Sequence, residues 1–181
     1  FTPLAKGMNS GYANQNGYDC IQVHGGSGFM LEYACQRIYR DARITSIYEG
    51  TTQLQTVAAI RYVTNGFYSS VIEDYAQMPV AQELEGIKSR VAAMAEKFNA
   101  SVAKVKEAEN QELHDLCARH LYEMAADVIM CQLLMQNASK APEIFVHSLE
   151  VYANHAEAEV AKHATLVERM TVEQLDNYRQ A

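Results

Sequence analysis

Apolar residues recur every three or four positions through the last two thirds of the chain, and this spacing restricts the fold more than any other feature. Such a period places apolar side chains on one face of an α-helix. Only three prolines and nine glycines interrupt the 181 residues, and most of the glycines precede residue 67. Helices can therefore run for many turns, and the sequence predicts an all-α protein built as a helical bundle.

The predicted helices share this spacing and are separated by glycine, proline, asparagine or threonine. In chain order they cover about 3–24, 31–44, 51–63, 67–80, 80–107, 110–139, 142–168 and a short terminal stretch after Thr171. The segment 67–80 is interpreted as a short helix or a packed linker. Thr52 and Gln55 are typical of a capping box at the start of the third helix. Short turns between the last long helices favour an antiparallel, up-and-down arrangement.

Asn65-Gly66 marks the border between two predicted domains, because this dipeptide strongly favours a turn. Residues 1–66 form the first domain, and residues 67–181 form a C-terminal helical extension. The acidic excess of the chain lies almost entirely after residue 70, whereas the first third is close to neutral. This asymmetry suggests two units with different roles.

The composition restricts the partners and the compartment. A net charge of -7 argues against nucleic-acid binding, because no basic surface offsets the repulsion of phosphates. The sequence predicts neither a membrane span nor a signal peptide. Four cysteines lack the short paired spacing of metal or redox motifs, so we interpret them as buried, reduced thiols; they are Cys20, Cys35, Cys117 and Cys131. Reduced thiols favour a cytoplasmic protein or one of an organelle matrix.

Glu49 is the sharpest candidate for chemistry. It follows an apolar run and precedes a glycine that opens a helix. The simplest interpretation is a helix-start glutamate, stabilised by the positive end of the helix dipole. The alternative is a general base, because Ile44, Ile47 and Tyr48 would exclude water from the carboxylate and raise its pKa. Gly50 would leave the backbone open to a ligand.

A glycine cluster lies upstream of Glu49. Gln22 and the run Gly25-Gly26-Ser27-Gly28 can present backbone N–H groups to a phosphate, although a helix C-cap and turn is the simpler interpretation. The cluster lacks the spacing of a Walker A loop or of the dinucleotide-binding fingerprint.

Three arginines follow the glycine cluster at every third position. Arg37, Arg40 and Arg43 can pair with a cofactor phosphate or with nearby carboxylates. Surface ion pairs are the default interpretation and contribute little to stability.

Histidines and a glutamate share one face of a later predicted helix. His155, Glu159 and His163 fall at i, i+4 and i+8, a spacing that can bind a transition metal. No fourth ligand is evident, so we interpret them as a solvated polar stripe and predict no metal site. His114 and His120 lack even this geometry.

Several motifs within residues 1 to about 63 match one family in their order and spacing. They are Gln22-Val-His-Gly-Gly-Ser-Gly-Phe29, Glu32-Tyr33, Arg40-Asp41-Ala42-Arg43 and Ile47-Tyr-Glu-Gly-Thr51. Together they resemble the C-terminal helical domain of the acyl-CoA dehydrogenase family. The residues after 67 resemble, in general character only, an additional helical domain of some longer members. The resemblance implies a flavoenzyme that inserts a trans double bond between C2 and C3 of an acyl-CoA.

The resemblance also implies roles for single residues. Glu49 would be the catalytic base that removes the α-proton while hydride leaves the β-carbon for FAD, and its backbone N–H would help polarise the thioester carbonyl. Tyr48 and Gly50 would line the acyl-CoA pocket. The implied FAD contacts are Gln22, Val23, His24, Gly25, Gly26, Thr51 and Gln53, although position 24 varies in the family. The first five would reach the FAD of a neighbouring subunit, which implies a homo-oligomer, and an electron-transfer flavoprotein is the implied electron acceptor.

Three expectations follow for the isolated chain. Phe1 leads straight into a helical pattern, so we expect a piece of a longer protein. The family's N-terminal helical domain and middle β-domain bind most of the FAD and acyl-CoA and are not among these residues, so we expect the chain alone neither to hold FAD stably nor to turn over substrate. The assignment of Glu49 as a base would fail if its carboxylate pointed into open solvent on the far side of the bundle from the glycine turn at 25–28. The competing hypothesis is a non-enzymatic, acidic helical module for interaction or oligomerisation.

Overall fold

The computed structural model describes residues 1–179. Every regular element in that part of the chain is helical, which confirms the all-α prediction. The elements are α1 (Thr2–His24), α2 (Gly26–Phe29), α3 (Ala34–Thr45), α4 (Thr52–Thr64), α5 (Phe67–Ala76), a 3-10 turn (Gln82–Leu84), α6 (Glu85–Glu107), α7 (Gln111–Lys140), α8 (Pro142–Arg169) and α9 (Val172–Arg179). None of these helices is both long enough and apolar enough to cross a membrane.

The chain divides into two compact units, residues 1–59 and residues 60–181. In the first unit α1 packs against α3 in antiparallel fashion. The side-chain amide of Asn14 donates to the carbonyl of Ala42 at 3.2 Å, and the Lys6 ammonium, two turns earlier, reaches the carbonyl of Gly50 at 2.5 Å. Earlier residues of α1 therefore lie beside later residues of α3 and of the turn after it. This register decides which side chains meet in the first unit.

Gly17 allows the close approach of α1 and α3. It is buried, and a Cβ atom at this position would lie 2.9 Å from the Cα atom of Tyr39 on α3. The ring of Tyr18 packs edge-on against the ring of Tyr39, with centroids 6.4 Å apart. Because the nearest atom is backbone, a side chain at position 17 would push the helices apart.

The end of α1 follows the prediction, but the segment after it does not. Gly25 ends the helix with φ 60°, a backbone angle that glycine adopts without steric cost. A single unpredicted helical turn, α2, then follows, and Gly28 within it packs against the carbonyl of Ile21. This turn delays α3, which begins at Ala34 and not near residue 31.

Three long helices form the second unit and alternate in direction. Arg90 of α6 donates to Glu157 of α8 at 2.6 Å and 2.8 Å, and Lys104, further along α6, donates to the carbonyl of Val167, further along α8. These two helices are therefore parallel, and α7 runs antiparallel between them, as predicted. Both α7 and α8 begin and end within one residue of the predicted bounds.

Apolar side chains cover α7 on most of its faces. It packs against α5, α6 and α8, and several of its side chains are completely buried, among them Leu121, Met124, Ala125, Val128 and Cys131. The prediction that the middle helix is buried on more than one side is confirmed. A helix in this position forms the core of the second unit.

Asp127 is an acidic side chain inside this core. Its carboxylate is 2% exposed and accepts a hydrogen bond from the hydroxyl of Tyr152 on α8 at 2.8 Å. Burial raises the pKa of Asp127 to about 6, although Tyr152 and the nearby His155 and His163 act in the opposite direction. Because the folded state holds this proton more tightly than the unfolded state does, Asp127 favours folding at low pH. That contribution is lost as the pH rises through about 6.

Replacing Gly17 by alanine tests the helix contact in the first unit. We expect Gly17→Ala to lower the free energy of unfolding by about 1–3 kcal/mol, because the new methyl group meets backbone. The control is Gly11→Ala on the same helix, where no atom lies within 4 Å of the added Cβ. That change should raise stability by about 0.5–1 kcal/mol through helix propensity alone. Equal unfolding curves for the two variants in urea would contradict the close approach.

Replacing Asp127 by asparagine tests the buried carboxylate. At pH 7.5 we expect Asp127→Asn to stabilise the protein by about 1–3 kcal/mol, because the ionised form of the acid is penalised in the core. Near pH 4 the acid is largely protonated when folded, and the gain should disappear. Asp115→Asn, an exposed change on the same helix, should stay within about 0.5 kcal/mol at both pH values. Thermal unfolding at the two pH values measures the difference, and a pH-independent effect would exclude titration of Asp127.

Candidate functional site

The turn between α3 and α4 presents Glu49 on a strained backbone. Glu49 has φ 51° and Gly50 has φ 90°. Residues other than glycine rarely adopt such backbone angles, and the strain at Glu49 costs about 1 kcal/mol. A Cβ atom at position 50 would lie 2.8 Å from Nε2 of Gln55, so glycine also fits sterically. The turn thus projects Glu49 in one orientation.

Contacts from both sides hold this turn. The Lys6 ammonium donates to the carbonyl of Gly50 and lies 5.9 Å from the centroid of the Tyr48 ring. The side-chain amide of Gln55 faces the carbonyls of Glu49 and Gly50 at 3.3 Å and 3.4 Å. The strained conformation is therefore fixed by α1 on one side and by α4 on the other.

The start of α4 differs by one residue from the predicted capping box. The hydroxyl of Thr51, not that of Thr52, accepts a hydrogen bond from the backbone N–H of Leu54 at 3.3 Å. The backbone N–H of Thr52 instead donates to the carbonyl of Ser46 across the turn, at 3.2 Å. The left-handed residues before the helix cause this shift, and they turn Gln55 toward the loop.

A cleft of about 590 Å³ lies beside the turn, within the first unit. Its lining residues come from the first four turns of α1 and from the end of α3 and its following turn: Phe1, Thr2, Ala5, Lys6, Asn9, Ser10, Ala13, Thr45, Tyr48 and Glu49. The structure therefore brings Tyr48 and Glu49 to one cleft and adds Lys6, which the sequence analysis missed. Lys6 is the only charged side chain before Asp19, and that isolation is the one signal that could have identified it.

The predicted shielding of Glu49 is wrong for this chain. Its side chain is exposed, and Ile44, Ile47 and Tyr48 are themselves about half exposed, at 52%, 46% and 50%. The apolar run lies near the carboxylate but does not cover it. Any exclusion of water at Glu49 must come from atoms outside these residues.

The glycine turn offers an open backbone. All residues from Gln22 to Gly26 are exposed, and an added Cβ at Gly25 or Gly26 would meet no atom within 4 Å. The side chain of Val23 is 85% exposed. His24 is turned back along α1, with Nδ1 2.8 Å from the carbonyl oxygen of Cys20. The surface at this end can accept a partner that approaches the main chain closely.

Glu49 and the glycine turn lie at opposite ends of α1. Lys6, which contacts the Glu49 turn, precedes Gln22 by sixteen helical residues, or about 24 Å at 1.5 Å per residue. Glu49 and the turn at 25–28 therefore do not lie close together within one chain. One chain presents two separate candidate surfaces.

The arginines of α3 have different surroundings. The guanidinium of Arg43 donates to the hydroxyl of Ser46 and so supports the Glu49 turn. Arg37 and Arg40 are exposed. Pairing of these arginines with a cofactor phosphate stays a prediction.

The histidines of the second unit form a buried bridge, which corrects the predicted solvated stripe. His163 is 4% exposed, with Nδ1 2.8 Å from Nδ1 of His120 on α7 and Nε2 2.9 Å from an Oε atom of Glu123. Glu159 lies 3.6 Å from Nε2 of His163, and His155 is exposed. The sequence analysis assigned no role to His120, because its partner lies 43 residues away on another helix.

The bridge also sets the protonation of its members. Burial, together with the adjacent His163, lowers the pKa of His120. Burial would raise the pKa of Glu123, but hydrogen bonds from His163 and Arg119 outweigh it and lower the pKa. Glu123 is therefore ionised against a histidine, and the cluster joins α7 to α8 as a structural contact.

Two family models match the chain. Residues 1–63 match the model described as acyl-CoA dehydrogenase, C-terminal domain, and residues 64–175 match the model described as acyl-CoA dehydrogenase C terminal. The second match alone covers more than half of the chain.

Individual relatives carry related names. An acyl-CoA dehydrogenase of Bacillus subtilis is 38% identical over 63 residues, which are 35% of this chain and 17% of that protein. A subunit of a caffeyl-CoA reductase–Etf complex from Acetobacterium woodii is 44% identical over 52 residues, which are 29% of this chain and 14% of that protein. The chain spans less than a fifth of the length of these curated relatives.

A solved structure is similar as well. The acyl-CoA dehydrogenase family protein from Porphyromonas gingivalis superimposes with a TM-score of 0.59 and 37% sequence identity, covering 63% of this chain and 98% of that one. The helical architecture, the two matched family models and this similarity agree. The chain belongs to the acyl-CoA dehydrogenase family, whose C-terminal regions it matches.

Proposed function

We propose that the chain is the C-terminal portion of a flavin-dependent acyl-CoA dehydrogenase and supplies its catalytic base, Glu49. The observation that carries this proposal is the strained turn at Glu49 and Gly50, which is held by Lys6 and Gln55 beside an open cleft. Strained residues of this kind cluster at active sites, because the surrounding structure must maintain them for a reason other than stability. Glu109 has a similar φ of 45° before α7, so it is the contacts of Lys6 and Gln55 and the adjacent cleft that distinguish the Glu49 turn.

In this proposal the carboxylate of Glu49 removes the proton from C2 of an acyl-CoA thioester. The backbone N–H of the same residue donates to the thioester carbonyl, which stabilises the charge that develops on that oxygen. Tyr48 and Gly50 line the acyl group, and the absence of a side chain at position 50 keeps the approach open. FAD, when bound, supplies the chemistry that accepts hydride from C3.

The residues proposed to hold FAD lie on the two separate surfaces. Thr51 and Gln53 are exposed at the start of α4, next to Glu49. The segment from Gln22 to Gly26 has the open main chain that fits close approach of a flat, anionic group. Because about 24 Å of helix separates this segment from Lys6, it belongs to the flavin site of a neighbouring subunit. The proposed enzyme is accordingly a homo-oligomer.

In this proposal the exposed carboxylate of Glu49 becomes an effective base only when other atoms cover it. A general base works best when its pKa approaches the operating pH, and for a carboxylate this requires removal from water. Here the apolar residues near Glu49 leave it exposed. The cover must come from substrate and from the helical and β-domains that other acyl-CoA dehydrogenases carry before this region.

Proton transfer at C2 serves either direction of the reaction. One relative is named as a dehydrogenase and another as a reductase in a complex with Etf. Glu49 would take the proton in oxidation and return it in reduction. An electron-transfer flavoprotein is the proposed electron partner, and the acidic helical extension after residue 67 is proposed as a distinct domain.

Membership of an enzyme family favours this proposal over a non-enzymatic interaction module. The module hypothesis also leaves the backbone strain at Glu49 unexplained. Binding of a partner through the acidic helices would not require Lys6 and Gln55 to hold the turn.

The substitution Glu49→Gln in the full-length enzyme tests the base. We expect the exchange of the C2 proton of acyl-CoA with deuterated solvent to fall by a factor of about 10²–10⁴ or more, because the amide does not accept the proton. FAD should remain bound, as shown by flavin absorption after gel filtration. Glu73→Gln, an exposed change on α5, is the matched control and should leave exchange unchanged. Normal exchange in Glu49→Gln would assign the base to another residue.

The isolated 181-residue chain provides a second test. Mixed with FAD and an acyl-CoA, it should produce no bleaching of the flavin absorption band, because Glu49 is uncovered and the domains that bind most of the FAD and acyl-CoA are not among these residues. Bleaching at a catalytic rate would show that these residues suffice for the reaction and would overturn the proposed division of roles.

A further inference from the structure

Three potential metal ligands meet where the end of α1 faces the start of α3. Cys20 and His24 are one helical turn apart on α1, and Cys35 is the second residue of α3. One sulfur or nitrogen atom from each lies within 4.8 Å of the other two. The Sγ atom of Cys20 is 3.9 Å from Nδ1 of His24.

These separations are close to those of a filled site. Zinc binds thiolate sulfur at about 2.3 Å and imidazole nitrogen at about 2.0–2.1 Å, so the ligand atoms of a tetrahedral site lie roughly 3.5–3.8 Å apart. The observed atoms would have to move together by about 1 Å at most. An i, i+4 pair on one helix and a third ligand from another element give the required convergence.

We propose that Cys20, His24 and Cys35 bind one zinc-class divalent cation, with two thiolates and one imidazole as ligands and water in the fourth position. Soft sulfur ligands select such a cation over magnesium or calcium. Binding releases the two thiol protons to solvent and changes no oxidation state. The sequence alone predicted no metal site, because Cys20 and Cys35 are fifteen residues apart and only the fold brings them together.

The surroundings suit entry of an ion from one side. Cys35 is 5% exposed, Cys20 is partly buried, and His24 lies at the surface. Cys20 and Cys35 bring their sulfur atoms close together, and the two thiols are hydrogen-bonding partners. A cation can displace the thiol protons because it binds both sulfurs at once.

His24 needs only a local change to become a ligand. Its Nδ1 lies 2.8 Å from the carbonyl oxygen of Cys20, which accepts only, so Nδ1 carries the ring proton in this arrangement. Moving that proton to Nε2 frees the lone pair of Nδ1, and a small rotation of the exposed ring aims it at the two sulfurs.

A bound ion would join the two ends of the glycine turn. Cys20 and His24 lie before Gly25, and Cys35 lies after the short helix α2. The ion would then hold residues 22–26 from both sides. This segment is the one proposed to contact the flavin of a neighbouring subunit. The metal site itself depends only on the three ligands and stands apart from that proposal.

Cobalt titration of the reduced 181-residue chain tests the site without FAD or substrate, so its result is separate from that of the catalytic proposal. We expect one Co²⁺ per chain, the near-ultraviolet charge-transfer absorption of cobalt–thiolate bonds, release of protons, and displacement by Zn²⁺. His24→Ala and Cys35→Ala should each weaken binding at least about tenfold. The matched controls, His147→Ala at an exposed histidine and Cys117→Ala at a buried cysteine of the second unit, should bind as the parent does.

Specific outcomes would overturn the proposal. Absence of the thiolate absorption would exclude Cys20 and Cys35 as ligands. Unchanged titration curves in both His24→Ala and Cys35→Ala would exclude the three proposed ligands as a set. Loss of the thiolate absorption only in Cys117→Ala would exclude them as well. Far-ultraviolet circular dichroism checks that each variant is folded. If Cys35→Ala is unfolded, the metal titration of His24→Ala tests the site alone, because the exposed ring of His24 contributes little to the core.

Discussion

The close, antiparallel packing of α1 on α3 is the constraint on which the first unit depends. Gly17 lets the two helices approach until a Cβ atom would meet the backbone of Tyr39. The same register places Lys6 against the carbonyl of Gly50 at one end and Cys20 near Cys35 at the other. Both candidate sites are therefore products of one packing contact. A change in this register would separate Lys6 from the strained turn and Cys20 from Cys35.

The length of α1 then determines what one chain can do alone. Because the Glu49 turn and the glycine turn lie at its two ends, they do not form one pocket within a single copy. In the proposed enzyme, a flavin site that uses both surfaces would need two chains, each giving Glu49 to one site and the glycine turn to another. The separation of the two surfaces along α1 is compatible with such a symmetric assembly.

Sequence patterns predicted the helices well and their contacts poorly. The bounds of α7 and α8 follow from apolar periodicity and from Asn110 and Pro142, which are local signals. The unpredicted turn α2 and the shift of the N-cap from Thr52 to Thr51 depend on backbone angles at Gly25 and Glu49, which no periodicity encodes. The pairs Lys6 with Gly50 and His120 with His163 are separated by more than forty residues, so only the fold reveals them. The division into domains at residue 66 stays a prediction.

Geometry and solvation at Glu49 come from different sources. The chain itself fixes the backbone of the turn, through Lys6 on α1 and Gln55 on α4, and so pays the strain in advance of any ligand. It does not exclude water, because the apolar neighbours of Glu49 are about half exposed. If Glu49 is the base, as proposed, it gains strength only when other atoms exclude water from its carboxylate. The position of the proposed base is thus encoded locally, whereas its strength would depend on what covers it.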